Sequence, residues 1–285
     1  MTAKFSVACC LPLYGDSEAA GIRRSMLGDF YYLGANLDVI CDDQGWDKGS
    51  VELDPSPYPN SIEHARNNLV RLFLDHPRQY THMWTRDSDV KAPSPTACAR
   101  LVGKLLAADK PLIGVPYIQK AFFPKQAAQR VLELGPAPTV DAIEAAIRGF
   151  SVRYVPDPGM YGNLGTPDEQ GLISFDEPPL GFALIRRDML EKMWAHYVDD
   201  PRLAYEMRRS ATADTKAIHE QHVGLFHTDI RDRVYKSEDT AFCQRWKAMG
   251  GRAFLYVGDG APLEHIGYTS FKGTREALLS DWTGR

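Results

Sequence analysis

Apolar residues along this chain switch repeatedly between short runs and a three-to-four-residue period, which predicts strands alternating with helices. The run "FSVACCLPL" (5–13) reads as a first strand, broken by Pro12 and Gly15. "DSEAAGIRRSMLGDFYYLG" (16–34) has helical spacing, and "LDVICDD" (37–43) reads as a second strand. A Pro-rich stretch at 54–60 reads as a loop. Ser61 can then cap a helix on which Ile62, Ala65, Leu69, Leu72 and Phe73 share one face. "THMW" predicts a strand that ends in Asp87 and Asp89. "CARLVGKLLAAD" (98–109) follows as an amphipathic helix and "PLIGVPYI" (111–118) as another strand.

The second half is less regular. Residues 121–150 have helical character, and "VPDPGMYGNLGTPDEQG" (155–171) reads as a glycine- and proline-rich loop. "GFALIRRDMLEKMW" (181–194) predicts a strand running into a helix, while 198–236 are polar and mixed. "SEDTAFCQRWKAMGG" (237–251) is the best-marked helix: Ser237 caps it, Glu238 and Asp239 occupy its first turn, and Gly250 and Gly251 stop it. "RAFLYV" (252–257) is a last strand. This alternation implies a mainly parallel α/β sheet with helices on both faces, and such sheets bind ligands outside the carboxyl ends of their strands. No repeat, low-complexity segment or long linker divides the chain, so residues 1–285 read as one domain.

Composition narrows the class without naming a chemistry. The apolar fraction of 44% and charged fraction of 25% are those of a water-soluble globular protein. No apolar run approaches the ~18 residues of a membrane span. The amino-terminal residues read as a buried strand rather than a signal peptide. Five cysteines, an odd number that includes adjacent Cys9 and Cys10, point to a reducing, cytoplasmic setting. The net charge of −4 provides no global attraction for a polyanion. Arg23, Arg24, Arg208, Arg209 and Lys216 could still line a local basic groove.

Each candidate residue admits a plain structural reading beside a functional one. Asp87 and Asp89 form either a solvated acidic turn or an oxygen-ligand site for Mg²⁺ or Mn²⁺ carried by a diphosphate. Ser237, Glu238 and Asp239 are what helix capping favours, and equally a place for a carboxylate that accepts a proton from a hydroxyl. His265 is a loop histidine or an imidazole ligand to the same metal. His219, His222 and His227 lack ligand spacing and read as surface residues. Arg66 and Asn67 near a helix start are either exposed or in contact with a base or phosphate. Gly181 marks a tight turn or a close approach of backbone to ligand.

The order of these pieces carries more than any one of them. "CCLPLYGD", "HARNNLVRLFL", "THMWTRDSDV" with its DxD motif, "PLIGVPYIQK", "PPLGFALIRRDMLEKM", "YKSEDTAFCQRWKAMGGRAFLY" with an xED motif, and "HIGYTSFKG" follow one another as in the GT-A fold glycosyltransferases. The chain resembles that class, especially its family-2-like, small phage or bacterial members. The resemblance implies a Rossmann-like GT-A fold with a donor-binding half (1–118) and an acceptor-side half (119–285). It implies a metal-dependent hexosyl or pentosyl transferase using a UDP- or GDP-sugar and Mn²⁺ or Mg²⁺. The acceptor would be a glycan hydroxyl or a hydroxymethylated pyrimidine in phage DNA. Asp89 and His265 would ligate the metal, and Asp87 would contact the ribose or a metal-bound water. Asp239 would be the base of an inverting reaction, with Glu238 orienting the acceptor. Pro12, Tyr14, Arg66 and Asn67 would line the nucleotide pocket and Gly181 the donor sugar. The loop at 159–171 would be a lid.

Two departures stand out: "HMWTR" replaces a plain aliphatic strand before the DxD, and the glycine loop reads "PPLGF". Two other functions use the same residues. A nucleotidyltransferase would place a Gly-rich, basic loop after strand one, where this chain has "PLYGDSEAAG". A non-catalytic nucleotide-sugar-binding module would have no need of Asp239.

Overall fold

The computed structural model describes residues 7–13, 51–57, 61–87, 89–118, 124–143, 154–155, 165–208, 219–266, 270–271 and 275. The helix read at 16–34, the strand at 37–43, Tyr14, and four of the five basic groove candidates (all but Arg208) lie outside these residues. In chain order the strands are β1 (Val7–Leu13), β2 (Val51–Pro57), β3 (His82–Arg86), β4 (Val90–Lys91), β5 (Leu112–Gly114), β6 (Tyr117–Ile118), β7 (Tyr154–Val155), β8 (Leu172–Ser174) and β9 (Phe182–Arg186). They continue as β10 (Ala204–Arg208), β11 (His219–Val223), β12 (Asp229–Arg231), β13 (Val234–Lys236), β14 (Phe254–Tyr256), β15 (Glu264–Ile266) and β16 (Ser270–Phe271). The helices are α1 (Ile62–Asp75), α2 (Pro95–Ala108), α3 (Pro124–Glu133), α4 (Arg187–Tyr197) and α5 (Glu238–Ala248).

Seven strands form the central sheet in the order β2-β1-β3-β9-β5-β14-β8. Strands β2, β1, β3, β5 and β14 run one way, and β9 and β8 run against them. The fold is therefore α/β, with β9 reversed in the middle of the sheet. Alternate residues of one strand feed two separate cores. Trp84, Ile113, Phe182 and Leu184 pack beneath α2, whereas Met83, Leu112, Ala183 and Ile185 pack against α1, α4 and α5. Helices thus cover both faces. Reversal of β9 puts its start, Gly181, at the same sheet edge as the carboxyl end of β3.

Several local readings need correction. The stretch 54–60 begins as strand, because β2 includes Pro55 and Pro57; β2 is an edge strand, where a missing N–H is tolerated. "PLIGVPYI" is two strands: Val115-Pro116 ends β5, and β6 pairs instead with β7. The helical stretch of 121–150 contains α3, after which Gly135 takes φ +90. Strand β8 (172–174) and the hairpins β10–β11 and β12–β13 were not legible in the apolar spacing. Ser61 sits at the N-cap of α1 but makes no side-chain cap bond, whereas Ser94 caps α2 through Ala97 N at 3.1 Å. Of the lid residues, 165–171 are described. There Asp168 Oδ1 accepts from Gln170 N (3.0 Å) and Leu172 N (2.8 Å), fastening the segment to β8.

Candidate active site

Asp87 follows β3 directly, and its amide donates to Gly181 O at 2.8 Å. Val90 N closes a turn on Asp87 O at 3.2 Å, and the buried Arg86 donates from Nε to Val90 O at 3.1 Å. The residues of "HMWTR" that looked out of place therefore have structural work. Arg86 brackets the turn bearing Asp87 and Asp89, and Trp84 packs edge-on to Phe182 with centroids 5.3 Å apart.

Arg66, on the first turns of α1, is the hub of the site. Its side chain is only 2% exposed, and its Nη2 donates to Asp87 Oδ1 at 2.9 Å. Nη1 donates to Glu238 Oε1 at 3.4 Å and makes a close contact with Asp239 Oδ1. The second oxygen of Asp239 accepts from Leu180 N at 3.0 Å. Glu238 and Asp239 open α5, where Ser237 accepts from Thr240 N as the sequence suggested. Three carboxylates from two distant parts of the chain thus meet one buried guanidinium, the geometry in which a charge-assisted network is worth most.

Asn67 does not share this wall. Neighbouring residues on a helix point about 100° apart, so while Arg66 faces the carboxylates, Asn67 is fully buried and accepts from Phe226 N at 2.8 Å. It ties α1 to the 224–227 turn rather than lining a nucleotide pocket. Pro12 lies toward the carboxyl end of β1, opposite Ser56 of β2 and past the last residue paired with β3.

Asp89 and His265 are brought together by strand pairing. β4 pairs antiparallel with β15, and His265 stands opposite Val90. His265 Nε2 lies 3.4 Å from Asp89 Oδ2, and its Nδ1 is 2.7 Å from Ile118 O. An Nδ1–H donated to that carbonyl turns Nε2 toward Asp89.

Gly181 and Tyr117 complete the wall. A Cβ at Gly181 would stand 2.8 Å from Asp87 Oδ2 and 2.9 Å from Tyr117 Cε1, so only glycine fits without displacing them. Tyr117 is buried with its ring centroid 5.2 Å from that of His265. Burial, and then the negative charge of Asp87, push its phenol well above the ordinary tyrosine range. Tyr117 and the Leu180 amide were missed in the sequence. Tyr117 had a usable signal, since it falls at the carboxyl end of a predicted strand.

His222 is not a surface residue, and His227 is half-buried. His222 is 1% exposed and stacks on Tyr205 at 5.3 Å, and Tyr205 stacks in turn on His227 at 5.0 Å. Among the described residues no helix is long and apolar enough to cross a membrane.

No family model matches the chain, and no curated protein matches it. Solved structures are similar to the chain only at low identity and low TM-score. A197 from STIV is 13% identical, with 92% of this chain and 86% of that one covered and a TM-score of 0.40. A 4-diphosphocytidyl-2C-methyl-D-erythritol synthase from Anaerococcus prevotii is 10% identical, with 99% and 98% covered and a TM-score of 0.37. A glycosyltransferase involved in glycosylation of the major capsid of PBCV-1 is 9% identical, with 68% of each chain covered and a TM-score of 0.26. At such distances the reaction has to be read from this chain's own residues.

Proposed function

We propose that the protein transfers a glycosyl group from a nucleoside-diphosphate sugar to an acceptor hydroxyl, with a divalent cation. The observation that carries this reading is the meeting of Asp87, Glu238 and Asp239 on Arg66, beside the facing pair Asp89 and His265. Four carboxylates against one guanidinium repel a diphosphate, so a diphosphate-bearing donor needs a cation beside it.

The residues present suit Mn²⁺ or Mg²⁺ on one condition. Among the described residues no three His, Cys, Asp or Glu side chains gather to hold a metal alone. Asp89 and His265 would supply a carboxylate oxygen and an imidazole nitrogen, with phosphate oxygens and water beside them, since Mg²⁺ usually takes only one or two protein ligands and keeps several waters. Bound there, the cation offsets charge on the departing nucleoside diphosphate. Asp239, held with one oxygen against Arg66 and the other on the Leu180 amide, would take the acceptor proton. That hydroxyl oxygen bonds to the anomeric carbon as the bond from that carbon to the diphosphate breaks. Glu238 orients the acceptor, Asp87 faces the ribose, and Gly181 leaves room for the sugar.

The decisive assay incubates the protein with Mn²⁺ and each common UDP-, GDP- and dTDP-sugar and follows slow donor hydrolysis. One or more donors should be consumed. Asp89→Ala should lose metal-dependent donor binding, while Asp239→Asn should bind donor normally and turn it over at least ~100-fold more slowly. Turnover of nucleoside triphosphates with no nucleotide sugar bound would replace glycosyl transfer with nucleotidyl transfer. Equal donor affinity in wild type and Asp89→Ala would remove the metal role.

A further inference from the structure

A recess of about 510 Å³ opens between α1, α4 and α5, and none of Arg66, Asp87, Asp89, Glu238 or Asp239 lines it. Its charged lining is Arg202, Arg231, Arg245, Glu63 and Asp229, with His227 beside them. We propose that this recess binds an oxyanion, phosphate or carboxylate, carried on a saccharide-sized ligand, with Arg245 as the anchoring cation.

Arg245 is 4% exposed. Its Nη1 donates to Leu225 O at 2.8 Å and to His227 O at 2.7 Å, which fixes the guanidinium plane. Among the described residues no carboxylate lies within ion-pair distance of it, Asp229 and Glu63 acting on it only from further away, and its hydrogen bonds to protein all run from Nη1. The contrast with Arg66, also deeply buried, is direct: Arg66 forms ion pairs with three carboxylates and Arg245 with none. A guanidinium with one N–H edge committed to protein carbonyls and the Nε–Nη2 edge open has the fork that matches a carboxylate or phosphate. Partial removal from water makes such a pair stronger than it would be on the surface.

The rest of the lining selects the size and charge of the ligand. Arg202 and Arg231, both exposed, are each paired with an aspartate two residues away, Asp200 at 2.7 Å and Asp229 at 2.8 Å. Glu63 and Asp229 in the wall disfavour a polyphosphate and offer acceptors to sugar hydroxyls. The volume suits a small polar molecule. The site does not depend on the transfer reaction. It shares only the scaffold of α1 and α5, through the Asn67 tie to the turn that precedes His227.

The test is titration of the whole 285-residue chain, without nucleotide or metal, by calorimetry with inorganic phosphate, glucuronate and glucose. Phosphate or glucuronate should bind and glucose should bind at least ~10-fold more weakly, and the stronger of the two anions identifies the source of the oxyanion. Arg245→Gln should lose the anion at least ~10-fold. Because Arg245 also holds two carbonyls, Arg202→Ala/Arg231→Ala serves as the surface variant, expected to weaken anion binding several-fold with unchanged folding. Asp89→Ala should bind the anions as wild type does, which separates this recess from the carboxylate site. Glucose binding as tightly as the anions, no binding of either anion, or anion binding unaltered in the Arg202/Arg231 variant would each overturn the proposal.

Discussion

Arg66 holds together groups that would otherwise repel. Asp87, Glu238 and Asp239 are each 18–20% exposed at the side chain, so their mutual repulsion is only partly screened once the guanidinium is gone. Arg66→Met should therefore cost about 3 kcal/mol of stability, read as a lower urea midpoint, because it leaves carboxylates gathered without a counter-charge. Arg66→Lys, which restores charge but not the two-armed geometry, should recover only part of that loss. Gly181 makes a separate prediction. Gly181→Ala places a methyl within 3.0 Å of Asp87 Oδ2 and of Tyr117, so the DxD turn or the tyrosine must shift. Donor turnover should fall at least ~10-fold, with a stability loss of about 1–3 kcal/mol. A variant with full turnover would show that the donor does not approach this wall.

At the scale of elements, pairing partners do what sequence spacing cannot. Asp89 and His265 face each other because β4 and β15 are in register, and β4 is only two residues long. The β12–β13 hairpin leads directly into α5 and the acidic pair. Its turn residues Asp232 and Arg233 have φ of +51° and +66°, the left-handed conformation that a two-residue hairpin turn demands. An arginine there is strained where glycine is not. Arg233→Gly should raise thermal stability by up to about 1 kcal/mol without changing donor turnover. A drop in stability would mean that the arginine side chain supplies contacts that outweigh its backbone strain.

The whole molecule is a sheet clamped between two cores, and its pH response follows from a histidine buried in that sheet. His82, on β3, is 3% exposed, and burial, aided by Arg186, lowers its pKa from 6.5 to about 4. Between those values the unfolded chain holds a proton that the native one does not, so stability falls as pH drops from about 6.5 to about 4 and levels off below. The total is about 3 kcal/mol for this group. Burial also lowers the pKa of His227, which adds to the same window, whereas aspartates such as Asp188, lowered by Arg186, act at more acid pH. Urea midpoints measured from pH 7 to pH 4 should show this decline, and His82→Gln should flatten most of it. A slope unchanged in that variant would place the proton uptake elsewhere.

Periodicity and capping residues determined much by themselves. The apolar faces of α1 and α2, the strand-to-helix passage at 181–197, and the boundaries of α5 from Ser237 to Gly250 were all written locally, because each depends on neighbours within a few residues. The acidic turn after β3 and the acidic start of α5 could be seen as well. Local spacing could not show that β2 is built from a Pro-rich stretch, since an edge position is a property of the sheet. Nor could it show that Arg66 and Asn67, adjacent in sequence, part company, one to the carboxylates and the other to Phe226. Burial of His222 and the openness of the Arg245 guanidinium likewise depend on segments far along the chain. Contacts across 147 to 173 residues, from Ile118 to His265 and from Arg66 to Asp239, were decided by tertiary packing alone. The physical reason is that a side chain's partner is fixed by which elements the sheet order makes neighbours, and the hydrophobic period records only which face is buried.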